Sequence, residues 1–113
     1  MTERQDHVDA RFAGQQIRFE LKRDATTQQM MTLCGLAPFA MYRRFAEGLW
    51  AADDIMRVLS LAYSPAPYII VPSIAKRVRS AAYGHYAPLA IAVLEAHLYG
   101  IDPDRALFED TQP

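Results

Sequence analysis

The chain has few of the residues that chemistry is built from. Cys34 is the only cysteine, so no intrachain disulfide can form, and a reducing compartment is the natural setting. The histidines His7, His85 and His97 stand far apart, and no pair has the i, i+4 or short-loop spacing of a zinc site. The glycines occur singly, with no glycine-rich phosphate loop and no nucleophile elbow. No metal, cofactor or catalytic constellation is expected, and the chain reads as a non-enzyme. Long apolar runs are missing too. None approaches the roughly 18 residues that span a bilayer. The segment from Met1 to Asp9 is polar and carries acids, unlike a signal peptide. An excess of either charge is lacking: 12 basic residues face 13 acidic ones, for a formal net charge of -1. Bulk electrostatics therefore gives no reason to invoke nucleic acid or an anionic membrane. The expected location is the cytoplasm.

What the chain does have is hydrophobic material, 51% of 113 residues, enough for one small domain with a core. Two patterns order it. From Val8 to Leu21, Val8, Ala10 and Phe12, then Ile17, Phe19 and Leu21, alternate with polar residues. Period 2 is the signature of half-buried strands, and Gly14 marks the turn of a hairpin. Beyond Asp24 the period becomes helical. Thr26 or Thr27 can cap a helix carrying Met30, Leu33 and Cys34, and Gly35 ends it. Pro38 suits the first turn of the next helix, in which Phe39, Tyr42, Phe45, Ala46 and Leu49 form an apolar stripe opposite Arg43, Arg44 and Glu47.

The segment from Ala46 to Ile55 is an architectural joint. Gly48 suits a left-handed helix stop. Trp50, the only tryptophan, can wedge the corner between helices. Asp53 and Asp54 fall in the first turn of the next helix, where carboxylates face unpaired N–H groups and the positive dipole end. Adjacent helical residues diverge, so this pair is read as helix-start charge rather than a metal or acid–base site. Ile55, Val58, Leu59 and Ala62 continue as a buried stripe.

Ser64-Pro65-Ala66-Pro67 breaks that helix. Tyr68 to Val71 reads as an ordered loop or short edge strand, because Pro72 pushes Val71 toward extended backbone. The alternative is a helix from about Ala66, kinked at Pro72. A helix from about Ser73 follows, with Ile74, Val78, Ala81 and Ala82 inward and Lys76, Arg77 and Arg79 outward. The stretch from Pro88 to Tyr99 is apolar nearly all round, the mark of a central helix. Gly100 stops it. Asp102-Pro103 then offers a cap and a first-turn proline for a short terminal helix through Leu107 or Phe108. The expected fold is α+β: an N-terminal hairpin on four to five helices over residues 8–108, with disordered tails at 1–7 and 109–113.

Large apolar residues exceed what a small core obviously needs: Phe39, Tyr42, Trp50, Tyr63, Tyr68, Ile69, Ile70, Tyr83, Tyr86 and Tyr99. Tyrosine and tryptophan favour interfaces because they join apolar area to a polar tip. Phe39, Tyr42, Tyr68, Ile69 and Ile70 are the candidate partner-binding residues, with the hairpin edge beside them. Cys34 reads as a small buried hydrophobe. The basic trio Lys76, Arg77 and Arg79 is the one candidate nucleic-acid feature.

The order of parts resembles a known family. Arg11-Phe12-Ala13-Gly14-Gln15 with Phe19-Glu20-Leu21 comes first. Cys34-Gly35, Arg44-Phe45-Ala46-Glu47-Gly48-Leu49-Trp50 and Asp53-Asp54-Ile55 with Val58-Leu59 follow. His85-Tyr86-Ala87-Pro88-Leu89-Ala90, Val93-Leu94-Glu95-Ala96 and Leu98-Tyr99-Gly100 close the series. From about residue 10 to 108 this is similar to the gene transfer agent tail-protein family, grouped with tail assembly chaperones of long-tailed phages. The chain departs from the family at Ala51, where a capping serine or threonine is usual. Ser64 to Val71 also stands in place of a glycine-rich turn. The resemblance implies a non-enzymatic role in tail morphogenesis inside a bacterial host cell, with the tape measure protein, the tail tube protein, or both, as partners. It implies self-association as well, and no catalytic residues. The alternatives are a structural tail or head–tail component retained in the particle, or a small DNA-binding regulator.

Overall fold

A computed structural model describes residues 4–12, 14–22, 26–63, 70–82, 84–104 and 107–109. The chain runs β1 (His7–Phe12), β2 (Gln15–Glu20), α1 (Thr26–Cys34), α2 (Pro38–Ala46), α3 (Ala52–Tyr63), α4 (Pro72–Ser80), α5 (Ala87–Tyr99) and β3 (Leu107–Glu109). The α+β architecture read from the sequence is the one observed, a hairpin followed by five helices.

The hairpin forms because its apolar residues share one face. Val8 pairs with Phe19, Ala10 with Ile17 and Phe12 with Gln15. Gly14 lies in the turn between them at φ 80, a backbone region that glycine enters without a Cβ penalty. Val8, Ala10, Phe12, Phe19 and Leu21 are all buried. Phe12 packs edge-on against Phe19, with centroids 5.8 Å apart, and tilts over Tyr86 at 5.0 Å.

α5 lies behind this sheet. Leu89, Ala90, Val93, Leu94 and Ala96 are buried, while Ile91 and Ala92 are half-buried. A helix so evenly apolar needs neighbours on most sides, and it has them in α2, α3 and β1. In α3, Ile55, Val58, Leu59 and Ala62 are buried as expected, together with Met56, Ser60 and Leu61.

The structure departs from the expectations at several points. Among the described residues there is no terminal helix after Asp102-Pro103. A turn at Pro103 and Asp104 leads to β3, which lies parallel to β1 with Ala10 opposite Phe108 and Arg11 opposite Glu109. Asp followed by Pro opens a type I turn as readily as a helix. The second edge of β1 needs hydrogen-bond partners, and Phe108 gains a ring contact with Tyr86 at 6.2 Å. The sheet order is therefore β2-β1-β3, and Glu109 belongs to it rather than to a tail.

The N-terminal tail is shorter than residues 1–7. Gln5 and Ile101 exchange backbone hydrogen bonds, both 2.9 Å, and His7 opens β1. In α2 the buried residues are Pro38, Met41 and Phe45; Phe39 and Ala46 face solvent, and Leu49 lies beyond the helix at 67% exposure. Finally, α4 ends at Ser80. Ala81 is therefore only half-buried and Ala82 is exposed. Val71 is extended (φ -74, ψ 121) ahead of Pro72 in the first turn of α4. Ile70 and Val71 are thus not helical, while the readings of Ser64 to Ile69 lie outside the described residues, and the Val71 N–H donates to the buried Ser60 Oγ at 2.9 Å.

Candidate partner-binding surface

The joint between α2 and α3 sets the frame. Glu47 caps α2, and Gly48 sits at φ 74. The Gly48 N–H donates to the Phe45 carbonyl at 3.1 Å, and the Leu49 N–H to the Arg44 carbonyl at 2.9 Å. These two bonds make a Schellman motif, which satisfies carbonyls that the helix end leaves open.

Trp50 then turns back over α2. Its ring stacks on Phe45 at 6.0 Å and 16°, and its edge reaches to within 3.4 Å of where a Gly84 Cβ would stand. The tryptophan is half-buried and ties the joint to the turn before α5.

The acids of the next helix divide their roles. Asp54 is buried at 3% exposure, whereas Asp53 is exposed. Asp54 Oδ2 accepts from the Ala51 N–H at 2.8 Å, and Oδ1 accepts from Arg44 Nη1 at 3.4 Å. An acid at the third helical position bonding back to the cap residue is half of a capping box. Ala51, in the place of the expected serine or threonine, cannot supply the other half.

The same α2–α5 packing builds an aromatic ridge. Phe39 and Tyr42 lie three residues apart on α2, one turn of a helical face. Tyr42 meets Tyr99 of α5 edge-to-face at 6.0 Å. Tyr42 is half-buried against the core, while Phe39 and Tyr99 remain 47% and 57% exposed. The structure thus joins two of the candidate partner-binding residues, Phe39 and Tyr42, to Tyr99 of the wider aromatic set. Edge-to-face aromatic pairs are favourable beyond their buried area, so the ridge is held in shape from beneath.

The other candidates fall elsewhere. Ile70 is half-buried and packs on the core. Tyr68, Ile69 and Tyr83 lie outside the described residues. Tyr86 belongs to the core at 1% exposure. Leu36, Ala40 and Leu49 line an open cleft of about 310 Å³ rimmed by Arg43, Arg44 and Glu47. Its charged rim is already internally paired, with Arg43 to Glu47 at 3.1 Å and Arg44 to Asp54. The free edge of β2 carries exposed Gln15, Gln16 and Arg18, the polar kind of edge that discourages further strand pairing.

The basic trio is divided. Arg77 is half-buried and its Nε donates to the Tyr86 hydroxyl at 2.8 Å, so only Lys76 and Arg79 point fully outward. Cys34 is half-buried, and burial pushes its thiol up to about 11. Such a thiol keeps its proton at neutral pH and is a poor nucleophile. Among the described residues, no helix is long and apolar enough to cross a membrane. The chain matches no family model, no curated protein and no solved structure.

Proposed function

We propose that this protein is a non-enzymatic tail assembly chaperone of a gene transfer agent or prophage, binding an apolar helical segment of the tape measure protein, the tail tube protein, or both. The observation that carries the reading is the ridge of Phe39, Tyr42 and Tyr99, where two large apolar rings stay exposed on a packed support. Chaperoning a long apolar helix calls for a shallow apolar surface of this kind, read by the partner in helical steps. The near-neutral charge of the chain suits a partner recognised by apolar contact rather than by Coulomb attraction. The order of motifs from Arg11 to Gly100 supports the tail-assembly setting. Asp54, Trp50 and Gly48 have structural duties in this reading: they hold α2 at the angle that presents Phe39.

The test is co-purification with the products of neighbouring genes. The chaperone reading expects a complex with tape measure or tube protein, and absence of the chain from purified particles. Recovery of the chain as a stoichiometric part of the particle would replace it with the retained-component reading. Salt-dependent DNA binding lost with Lys76 and Arg79 would replace it with a regulator.

A further inference from the structure

The histidine spacing that argues against a metal along the chain changes meaning once the hairpin forms. His7 and Glu20 are cross-strand partners, and Asp6 immediately precedes His7. One ligand atom from each of Asp6, His7 and Glu20 lies within 4.8 Å of the other two. All three side chains are half-buried. His7 Nδ1 faces Asp6 Oδ1 at 3.5 Å. The other ring nitrogen, Nε2, faces Asp9 Oδ2 at 3.8 Å, and Asp9 Oδ1 in turn accepts from Arg18 Nε at 3.3 Å. Arg18 thus steadies Asp9, and Asp6 and Asp9 face different nitrogens of the imidazole. A carboxylate behind a metal-ligating histidine is the common outer support of such sites.

We propose that Asp6, His7 and Glu20 form a binding site for a divalent transition-metal ion of the Zn2+ type. One imidazole with two carboxylates suits zinc and its first-row neighbours, whereas an all-oxygen set would suit magnesium or calcium. Bonds of roughly 2.0–2.2 Å to such an ion draw ligand atoms closer than they now stand, which turns of the Asp6 and Glu20 side chains supply. A divalent cation is attracted to both carboxylates. Three protein ligands leave room for water on the ion. The bound ion clamps the start of β1 to the end of β2, next to the Gln5–Ile101 bridge that anchors the end of α5. It therefore acts on the sheet and not on the aromatic ridge.

The experiment is calorimetric titration of the full chain, freed of any purification tag, with ZnCl2, alongside thermal unfolding with and without the metal. One saturable equivalent is expected, with a melting temperature that rises with metal concentration because only the folded sheet assembles the site. His7→Gln and Glu20→Gln each weaken binding about tenfold or more, on the scale of lost ligands and their supports. His85→Gln leaves it unchanged. Circular dichroism confirms that each variant is folded, and Glu20→Gln alone suffices if His7→Gln is not. Absence of saturable binding by the parent chain, or equal binding by the folded variants, overturns the proposal.

Discussion

Replacing Asp54 by alanine tests the joint on which the surface rests. Three contributions are lost. The charge-assisted bond to the Ala51 N–H at 2.8 Å is of a class that contributes about 1.5–3 kcal/mol. The favourable place of the carboxylate at the start of α3 adds about 0.3–1 kcal/mol. The Arg44 contact is discounted, because Arg44 is 42% exposed and its side chain is screened by water. Against these stands relief of the cost of burying a charge at 3% exposure. The first two dominate because the carboxylate is directly hydrogen-bonded, so a net loss of about 2 kcal/mol follows. In a chain of this size that lowers the melting temperature by about 8 °C. Asp53→Ala is the internal control. Asp53 is exposed and contributes only the dipole interaction, about 0.5 kcal/mol. Urea unfolding of both variants, followed through Trp50 fluorescence, gives the comparison. Equal losses for the two aspartates, or an Asp54→Ala variant as stable as the parent, would refute the assignment of Asp54 as the cap.

Trp50→Ala should destabilise by about 2–3 kcal/mol, below the range for a fully buried ring because the indole is half-buried; thermal unfolding reads it. Gly48→Ala should cost about 1–2 kcal/mol, a purely conformational loss, since a Cβ there meets nothing within 4 Å while φ is 74; Gly48→Asn recovers part of it. Cys34 should resist alkylation at pH 7–8, and its labelling rate should climb as pH approaches its value of about 11. The sign for stability follows. The folded chain holds this proton more tightly than the unfolded one, so the contribution is complete below pH 9 and is lost as pH rises toward 11. Ile70→Asp should lower the melting temperature, because Ile70 packs on the core; a variant with unchanged melting would free that residue for the partner surface.

The helix stops were legible in the sequence because glycine leaves a local signature: Gly35, Gly48 and Gly100 all take positive φ. The stripe of α3 was legible because its period is unbroken. The face of α2 was not. Its apolar residues lie on more than one side, and only the position of α5 decides that Met41 and Phe45 turn inward while Phe39 stays out. Tyr99 stands among the surplus aromatics of the sequence, but its pairing with Tyr42 was not legible for the same reason, since the two lie far apart along the chain. The end of the chain misled because Asp102-Pro103 is locally ambiguous, and β1, far upstream, resolves it in favour of a strand. The Asp6–His7–Glu20 cluster depends on hairpin register, which no spacing along the sequence reveals.

The central claim is that the Phe39–Tyr42–Tyr99 ridge is the docking surface for an apolar helix. Its most direct test is titration of the tape measure and tail tube proteins with the parent chain and with the Phe39→Asp, Tyr99→Asp double variant. Both positions are about half exposed, so the variant should stay folded, with a melting temperature lowered by only a few degrees for the lost Tyr42–Tyr99 contact of about 1 kcal/mol. Loss of an aromatic hot spot of about 2 kcal/mol corresponds to roughly 30-fold weaker binding, and at least that loss is predicted. A folded double variant that binds as tightly as the parent would contradict the account.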